Sequence, residues 1–419
     1  MLSSPRATET TLEQPGAAIL LFVAFCAMAF LLGAKKFQKR ARSNDSKPGC
    51  SPSAPVDKAQ CVQSPRRTAT CTWDLTLGSD FAGMDVPRMA LEDLGFNIRH
   101  RFSCENNPSC NRLISHLWGG DIDIRYKDIL GRDNNLTPRV DLYCAGIVCT
   151  PLSKVGKQQG TADPKAETWM NTFDYIKQRR PKAVLLENVP DMIEDVQFKE
   201  QIFDKLVRFL EGLEYEVHVE ILSTDQFGIP QARRRMYLVA ISRGARKSKF
   251  TFPMPLGNGM VPLKKLLGYK DIAPSELTFA IDSLLPSHPT ARALVLRTLN
   301  AYLKDHRQED LANDILVTDI GCSYRFWTHR LNVFPTLTAG RSSQMKYWVI
   351  GNGVGRNITA GDLLRLQGIK ELDYEAAHVS AARVGHMCGN AMSKNVLMAL
   401  LPNILTSIGI TPGCGARSG

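Results

Sequence analysis

The 419-residue sequence contains no C-x-x-C pair, and its eleven cysteines are odd in number and scattered. Neither a disulfide framework nor a zinc finger is indicated, and no metal site is expected. Reduced thiols in a cytosolic or nuclear type of compartment fit this usage. An internal repeat is also lacking, which argues against a solenoid or propeller. Acidic residues are in the minority, 41 Asp and Glu against 52 Lys and Arg, so the formal net charge is +11. That balance favours a polyanionic partner such as nucleic acid, although an acidic membrane surface satisfies the same statistic. With 44% hydrophobic and 22% charged residues the chain is neither disordered nor collagen-like, and it has room for two or three domains.

Charge is missing altogether from Gly16 to Ala34 (GAAILLFVAFCAMAFLLGA), a run of 19 residues and about the length that crosses a bilayer core. It is a candidate transmembrane helix, although a buried helix or an upstream extension of the reading frame fits the same run. Lys35, Lys36, Lys39, Arg40 and Arg42 follow it, and Arg6, Glu9 and Glu13 precede it. The positive-inside rule then places everything downstream in the cytoplasm, whereas a cleaved signal peptide carries its positive charge before the apolar run. The localisation expected is the nucleus or the cytoplasmic face of a membrane, with a possible membrane tether through residues 16–34.

Apolar spacing is nearly absent from Ser43 to Thr70, which describes a flexible basic linker. Beyond Cys71, short apolar runs alternate with helix-like ones: TWDLTL then PRMALEDLG, IRHRFSC then SCNRLISHLW, VDLYCAG then ETWMNTFDYIKQ, AVLLEN then EQIFDKLVRFLEGL, and finally MYLVAIS. This alternation predicts an α/β fold with a doubly wound, Rossmann-like sheet and sites in the loops after the strands. The periodicity fails after Lys249, where Pro253, Pro255, Gly257, Gly259 and Pro262 break the chain. A second, smaller domain is expected there. The boundaries predicted are a tail at 1–15, the candidate span at 16–34, the linker at 35–70, a catalytic domain at 71–249, a small domain at 250–327, a return to the catalytic domain at 328–406 and a tail at 407–419.

The first strand runs into LGSDFAGMDVPRMALEDLG, where Gly78 and Gly83 permit close backbone approach just before a helix near Pro87. Glu105 ends the next apolar run, where a carboxylate can accept hydrogen bonds from a ribose. Taken alone this pairing also fits a helix start beside a surface acid. The third run ends in DLYCAGIVCTPLSKVGKQQG; AVLLENVP follows, and then DQFGIPQARRRMYLVAI. Three ordered motifs of this kind resemble the catalytic loop, the Glu-Asn-Val motif and the Gln-x-Arg-x-Arg motif of the cytosine-C5 DNA methyltransferase family. FAG at the first loop, PTLTA near Thr336, RNITAGDLLRLQG from Arg356 and CGNAM at Asn390 extend the resemblance from about Trp73 to Ile404.

The chemistry of that reaction suits these side chains. Cytosine C5 is too electron-poor to attack a methyl sulfonium unaided, so a thiolate adding at C6 must first push density onto C5, and Cys149 matches the family's nucleophile. Glu187, ending a buried strand, is expected to have a raised pKa and to protonate or hydrogen-bond N3. Arg233 and Arg235, two apart, would hold the polar edge of the base and lower the thiol pKa. A lone loop cysteine is usually inert, a Glu-Asn pair also caps helices, and arginines in a row also form a solvated basic run; joint occurrence selects the catalytic readings.

The resemblance further implies S-adenosyl-L-methionine as cofactor and DNA as partner, with the region 250–327 as target-recognition domain, although no base-reading motif stands out there. It implies that Phe81 packs on the adenine, Gly83 underlies the methionine moiety, Glu105 binds the ribose and Asn390 reaches back to the pocket. Asp128 is the candidate for the adenine amino group, with Asp121 as its rival. Asn188 and Gln231 are expected to position the loop or the target, and Ser153 to contact phosphate. Two departures from the family pattern stand out: Val148 replaces the proline before the nucleophile, and Asp85 and Val86 replace a glycine pair, which brings a carboxylate near the cofactor's own. Two alternatives stay open, a tRNA cytosine-C5 methyltransferase, disfavoured by the lack of that branch's Cys-Phe-Thr tripeptide, and an inactive membrane-tethered nucleic-acid-binding homologue.

Overall fold

A computed structural model of the chain describes residues 73–147, 166–257, 259–278, 280–370 and 372–412. The expectations for the span at 16–34, the linker, Val148, Cys149 and Ser153 lie outside them. The first half alternates β1 (Leu75–Asp80), α1 (Val86–Asp93), β2 (Ile98–Cys104), α2 (Pro108–Trp118), β3 (Ile122–Tyr126), β4 (Leu142–Gly146), α3 (Ala166–Arg179), β5 (Ala183–Asn188), α4 (Asp204–Gly212) and β6 (Tyr215–Ser223). Two further strands follow, β7 (Gln231–Ala232) and β8 (Arg234–Ser242).

Seven strands form one sheet in the order β3-β2-β1-β4-β5-β8-β6. Residues of β1, β4, β5 and β8 alternate between its faces. Leu77, Leu142, Leu185 and Val239 turn toward α1, α2 and the last helix, α9 (Lys394–Ser407). Tyr143, Val184, Leu186 and Leu238 turn toward α3 and α4. Strands buried on both faces read as continuous apolar runs, and β5 (AVLLEN) is buried at every residue. The chain order reverses between β1 and its neighbour β4, and such a switch point opens a crevice at the carboxyl ends of the strands.

The expected doubly wound Rossmann-like sheet with an N-terminal transmembrane helix is corrected on two points. First, the sheet is mixed: β8 runs antiparallel to both β5 and β6. A parallel neighbour would need a crossover of a dozen or more residues, and the stretch from Ser223 to Arg234 holds only a short helical turn and β7, so the chain folds straight back. Second, among the described residues no helix is long and apolar enough to cross a membrane.

The smaller unit contains α5 (Pro289–Tyr302) and a four-stranded antiparallel sheet in the order β10-β9-β12-β13, built from β9 (Leu316–Asp319), β10 (His329–Leu331), β12 (Tyr347–Gly351) and β13 (Val354–Asn357). Its own core is Leu284, Val295, Leu299, Tyr302, Leu311, Leu316 and Ile350. This sheet draws strands from both sides of Trp327. Between β10 and β12, β11 (Phe334–Pro335) pairs in parallel with β7 and ties the two units together.

Helices α6 (Ala339–Ser343), α7 (Ala360–Leu366) and α8 (Ala381–Asn390) then lead back to the large sheet. Thr359 caps α7 reciprocally with Asp362. In α8, Gly385 and Gly389 lie four residues apart on one face. A Cβ at Gly389 would overlap the Ala339 nitrogen and the Thr338 carbonyl carbon, and one at Gly385 would overlap the Ser342 carbonyl. Alanine normally favours a helix interior over glycine by about 1 kcal/mol. Here Gly389→Ala is expected to lower stability by about 2 kcal/mol or more, because backbone atoms must move. Chemical denaturation of the two proteins checks the sign.

Candidate active site

A cavity of about 490 Å³ lies at the carboxyl ends of β1, β2, β4 and β5. Its wall is the β1–α1 loop from Ser79 to Pro87, with Glu105 to Asn107 after β2, Gly146 and Ile147 after β4, and Glu187 to Val189 after β5. Arg233 and Arg235 close one side. Ala339, His386 and Gly389 to Met392 close another. The volume falls in the range of small-ligand and cofactor sites.

The β1–α1 loop is held from below. Asp80, the last residue of β1, is buried in an ion pair with Arg132, whose second terminal nitrogen donates to Asp80 Oδ2 at 2.8 Å, and the Tyr143 hydroxyl donates to the same oxygen at 2.5 Å. Arg132 lies 5.2 Å from the Phe102 ring centroid, 5.5 Å from that of Tyr126 and 5.2 Å from that of Tyr175. Burial by itself would lower the Arg132 pKa, but Asp80 outweighs it and holds the guanidinium charged. Gly78 lets Phe102 into this cluster, since any Cβ there would overlap the ring.

Beyond Asp80 the loop turns sharply. Phe81, Gly83 and Asp85 all have positive φ, at 53°, 58° and 54°. Only Gly83 adopts this region without a steric cost, so the loop is held by its contacts. The amide of Gly83 donates to Glu105 Oε2 at 2.8 Å and that of Asn107 to Oε1 at 2.7 Å. Each carboxylate oxygen keeps lone-pair capacity for a diol. Asn107 also caps α2 by accepting from the Ser109 amide, with Pro108 in the first turn, a local signal of the sequence NNPS although Asn107 was not singled out.

Across the cavity, Glu187 is buried and its Oε1 lies 3.2 Å from Arg235 Nε. Burial raises the Glu187 pKa, and Arg235 and then Arg233 pull against it. Asn188 is buried beside it and accepts the Val189 amide at 2.8 Å. Arg233, also buried, donates to the carbonyls of Leu337 at 3.0 Å, Gly389 at 3.2 Å and Ala391 at 2.6 Å. It lines the cavity while joining three chain segments. Gln231 is buried away from the cavity wall and donates to the Leu366 carbonyl at 2.7 Å. Asn390 lines the cavity at the end of α8, 3.5 Å from His386.

Of the expected cofactor residues, Phe81, Gly83, Glu105 and Asn390 line this cavity together. Asp128 is exposed after β3, where it accepts the Leu130 amide at 3.0 Å, and Asp121 is exposed before β3, 3.7 Å from Arg88; neither lines the cavity. Cys149 and Ser153 lie outside the described residues. Residues not expected at the site are His386, Asn107 and Val189, whereas Asp85, whose carboxylate was expected near the cofactor's own, also lines the cavity.

Comparison with known proteins bears on these observations. The family profile described as C-5 cytosine-specific DNA methylase matches residues 75–406. The chain belongs to this family. The methylase is 30% identical over 320 residues to the type II methyltransferase M.NgoBI of Neisseria gonorrhoeae, covering 76% of the chain and 89% of that protein. It is 28% identical over 335 residues to M.HaeII of Haemophilus aegyptius, covering 78% and 92%. Among solved structures, Schizosaccharomyces pombe Dnmt2 superposes with a TM-score of 0.53 at 17% identity, covering 80% of this chain and 99% of that one, a likeness of fold alone.

The methylase is therefore a DNA cytosine-5-methyltransferase, and its methyl donor is S-adenosylmethionine. The chemistry of the cavity fits that donor: its wall offers the Phe81 ring, the Glu105 carboxylate held by two amides, a backbone bend at Gly83, and a buried Asp85 oxygen with no hydrogen-bond partner.

Two measurements probe this geometry. Arg132→Met leaves the Asp80 carboxylate buried without its cation and is expected to cost about 3 to 5 kcal/mol in unfolding free energy, most of it recovered when Asp80→Asn is added. Asp85, buried completely, has its pKa pushed up from 3.8 to about 6, first by burial, against hydrogen bonds from Ser79 and Ser103 and the charge of Arg88. A folded-state pKa raised in this way gives stability that is full below about pH 4 and lost as pH rises through about 6. Asp85→Asn stays neutral, so its stability relative to the wild type should grow by about 3 kcal/mol between pH 4 and pH 8. Denaturant titrations across that interval measure the difference.

Proposed function

We propose that the methylase transfers the methyl group to C5 of a cytosine flipped out of duplex DNA, through a covalent bond between Cys149 and C6. One observation carries the reading: the buried Glu187–Arg235 pair faces the same cavity as Gly146 and Ile147, the residues that run into Cys149. Flipping is required because the reacting carbons are shielded while the base is stacked.

When bound, S-adenosylmethionine supplies an electrophilic methyl carbon on its sulfonium. The Cys149 thiolate adds to C6, and the negative charge that grows on the ring is met at N3 by the proton held on Glu187. Burial favours that protonated form. Arg235, beside Glu187, supports the carbonyl edge of the ring, and Arg233 holds the segment around Gly389 and Ala391 against the start of β8. After C5 has taken the methyl group, loss of its proton and departure of the Cys149 thiolate restore the aromatic ring. Phe81, Gly83, Glu105 and Asn390 hold the donor in this reading, Asn188 and Gln231 position the loops, and Ser153 contacts phosphate.

Incubation of the full chain with S-adenosylmethionine and duplex DNA carrying 5-fluorocytosine should give a denaturant-resistant protein–DNA adduct, and Cys149→Ser should give none. Equal adduct in both proteins removes Cys149 as nucleophile, and methylation of tRNA in place of duplex DNA overturns the substrate. Glu187→Gln is expected to lower kcat about 100-fold. Because the active form of Glu187 is protonated below its raised pKa and lost above it, the alkaline limb of the wild-type pH–rate profile should be missing from this variant.

A further inference from the structure

Four acidic residues line the cavity, and two of them are already satisfied. Asp80 is neutralised by Arg132, and Glu105 is held by two backbone amides. Glu187 lies 3.2 Å from Arg235, although its Oε1 has no hydrogen-bond partner. Asp85 has neither a cation nor a second donor of this kind. It stands at the start of α1 with a left-handed backbone, wholly buried, where its Oδ2 accepts the Ser79 hydroxyl at 2.8 Å and the Ser103 hydroxyl at 3.4 Å. Its Oδ1 has no hydrogen-bond partner.

The charged groups around Asp85 do not neutralise it. His100 Nε2, on β2, lies 3.7 Å away, but burial first and then the charge of Arg88 lower the His100 pKa to about 3, so the ring is neutral at physiological pH. Arg88, on α1, is turned toward Glu92 at 2.9 Å and Asp121 at 3.7 Å. From β4 the neighbouring ionisable group is the Cys144 thiol, raised far above its usual range by burial and by Asp85. A buried carboxylate in this position is costly to ionise unless a positive charge arrives from the cavity.

We propose that Asp85 is a specificity-determining residue that recognises the positive charge of the methyl donor and so discriminates S-adenosylmethionine from its product, S-adenosylhomocysteine. The inference rests on the cofactor reading of the cavity. The donor carries a sulfonium, an ammonium and a carboxylate, net +1; the product has lost the sulfonium charge and is neutral overall. A buried anion in the cavity wall acts on that difference of one charge, whereas the adenine and ribose contacts are common to both molecules. The site is thereby biased toward release of product after each turnover. Binding of the donor also draws a proton off Asp85, because a nearby cation favours the ionised form.

Calorimetric titration of the full chain with each ligand separately tests this. The wild type should prefer donor over product by roughly tenfold at pH 8. That preference should shrink as pH falls through about 6, where Asp85 becomes neutral in the free protein. Asp85→Asn should lose most of the preference at pH 8 while binding the product as well as the wild type does. Asp85→Gly guards against misfolding, since glycine adopts the 54° φ of this position readily, and it should behave like the Asn variant. Donor-to-product ratios that are equal in wild type and both variants, or independent of pH in the wild type, overturn the proposal and leave the cofactor site standing. Failure of the wild type to bind either ligand overturns the cofactor reading and this proposal with it.

Discussion

The ion pair between Asp80 and Arg132, buried with the Tyr143 hydroxyl and ringed by Phe102, Tyr126 and Tyr175, is the anchor from which the cofactor loop is suspended. It fastens the end of β1 to the connection that follows β3. Three left-handed residues come directly after it, two of them bearing side chains, and such a bend persists only where its surroundings over-determine it. A buried pair of this kind is a poor source of net stability compared with an apolar core, yet breaking it is expensive. It therefore specifies geometry more than it stabilises the fold.

From that anchor the rest of the site is assembled by long-range contacts between the matched motifs. The Glu105 carboxylate is oriented by amides from both sides of β2, including Gly83 in the suspended loop. Gln231 reaches the carbonyl of Leu366, and Arg233 reaches those of Leu337, Gly389 and Ala391. The QAR, PTLTA, RLQG and CGNAM segments thus hold one another in place, although more than 150 residues separate Arg233 from Gly389 and Ala391. Motif residues that look like base-binding groups in a linear reading include one, Gln231, whose described role is to fix backbone.

Legibility differed from feature to feature for physical reasons. The α/β alternation and the buried strand AVLLEN depend on local periodicity and were readable, whereas the caps at Asn107 and Thr359, equally local, emerged only with the structure. The reversal of β8 was not. MYLVAIS reads as a buried strand in either direction, and only the pairing of β8 with β5 and β6 gives it a sense. Asp128 and Asp121 were ranked by spacing along the chain, which is blind to where the loops around β3 turn, and neither carboxylate lines the cavity. Trp327 was the expected end of the smaller, irregular domain, while the small sheet takes its strands from both sides of it because antiparallel pairing gathers segments that are irregularly spaced.

By itself the sequence determined the family and its methyl-transfer chemistry, since the order of the Cys149, Glu187 and Arg233 segments and their residue types carry the resemblance. Tertiary structure decided their electrostatics. Whether a carboxylate is neutralised, pre-oriented or left with a free oxygen depends on which atoms surround it in space. Asp80, Glu105, Glu187 and Asp85 are four acids of one kind in the sequence, and four different environments give them an ion pair with Arg132, two backbone amides, a buried place beside Arg235, and a buried place held by serine hydroxyls.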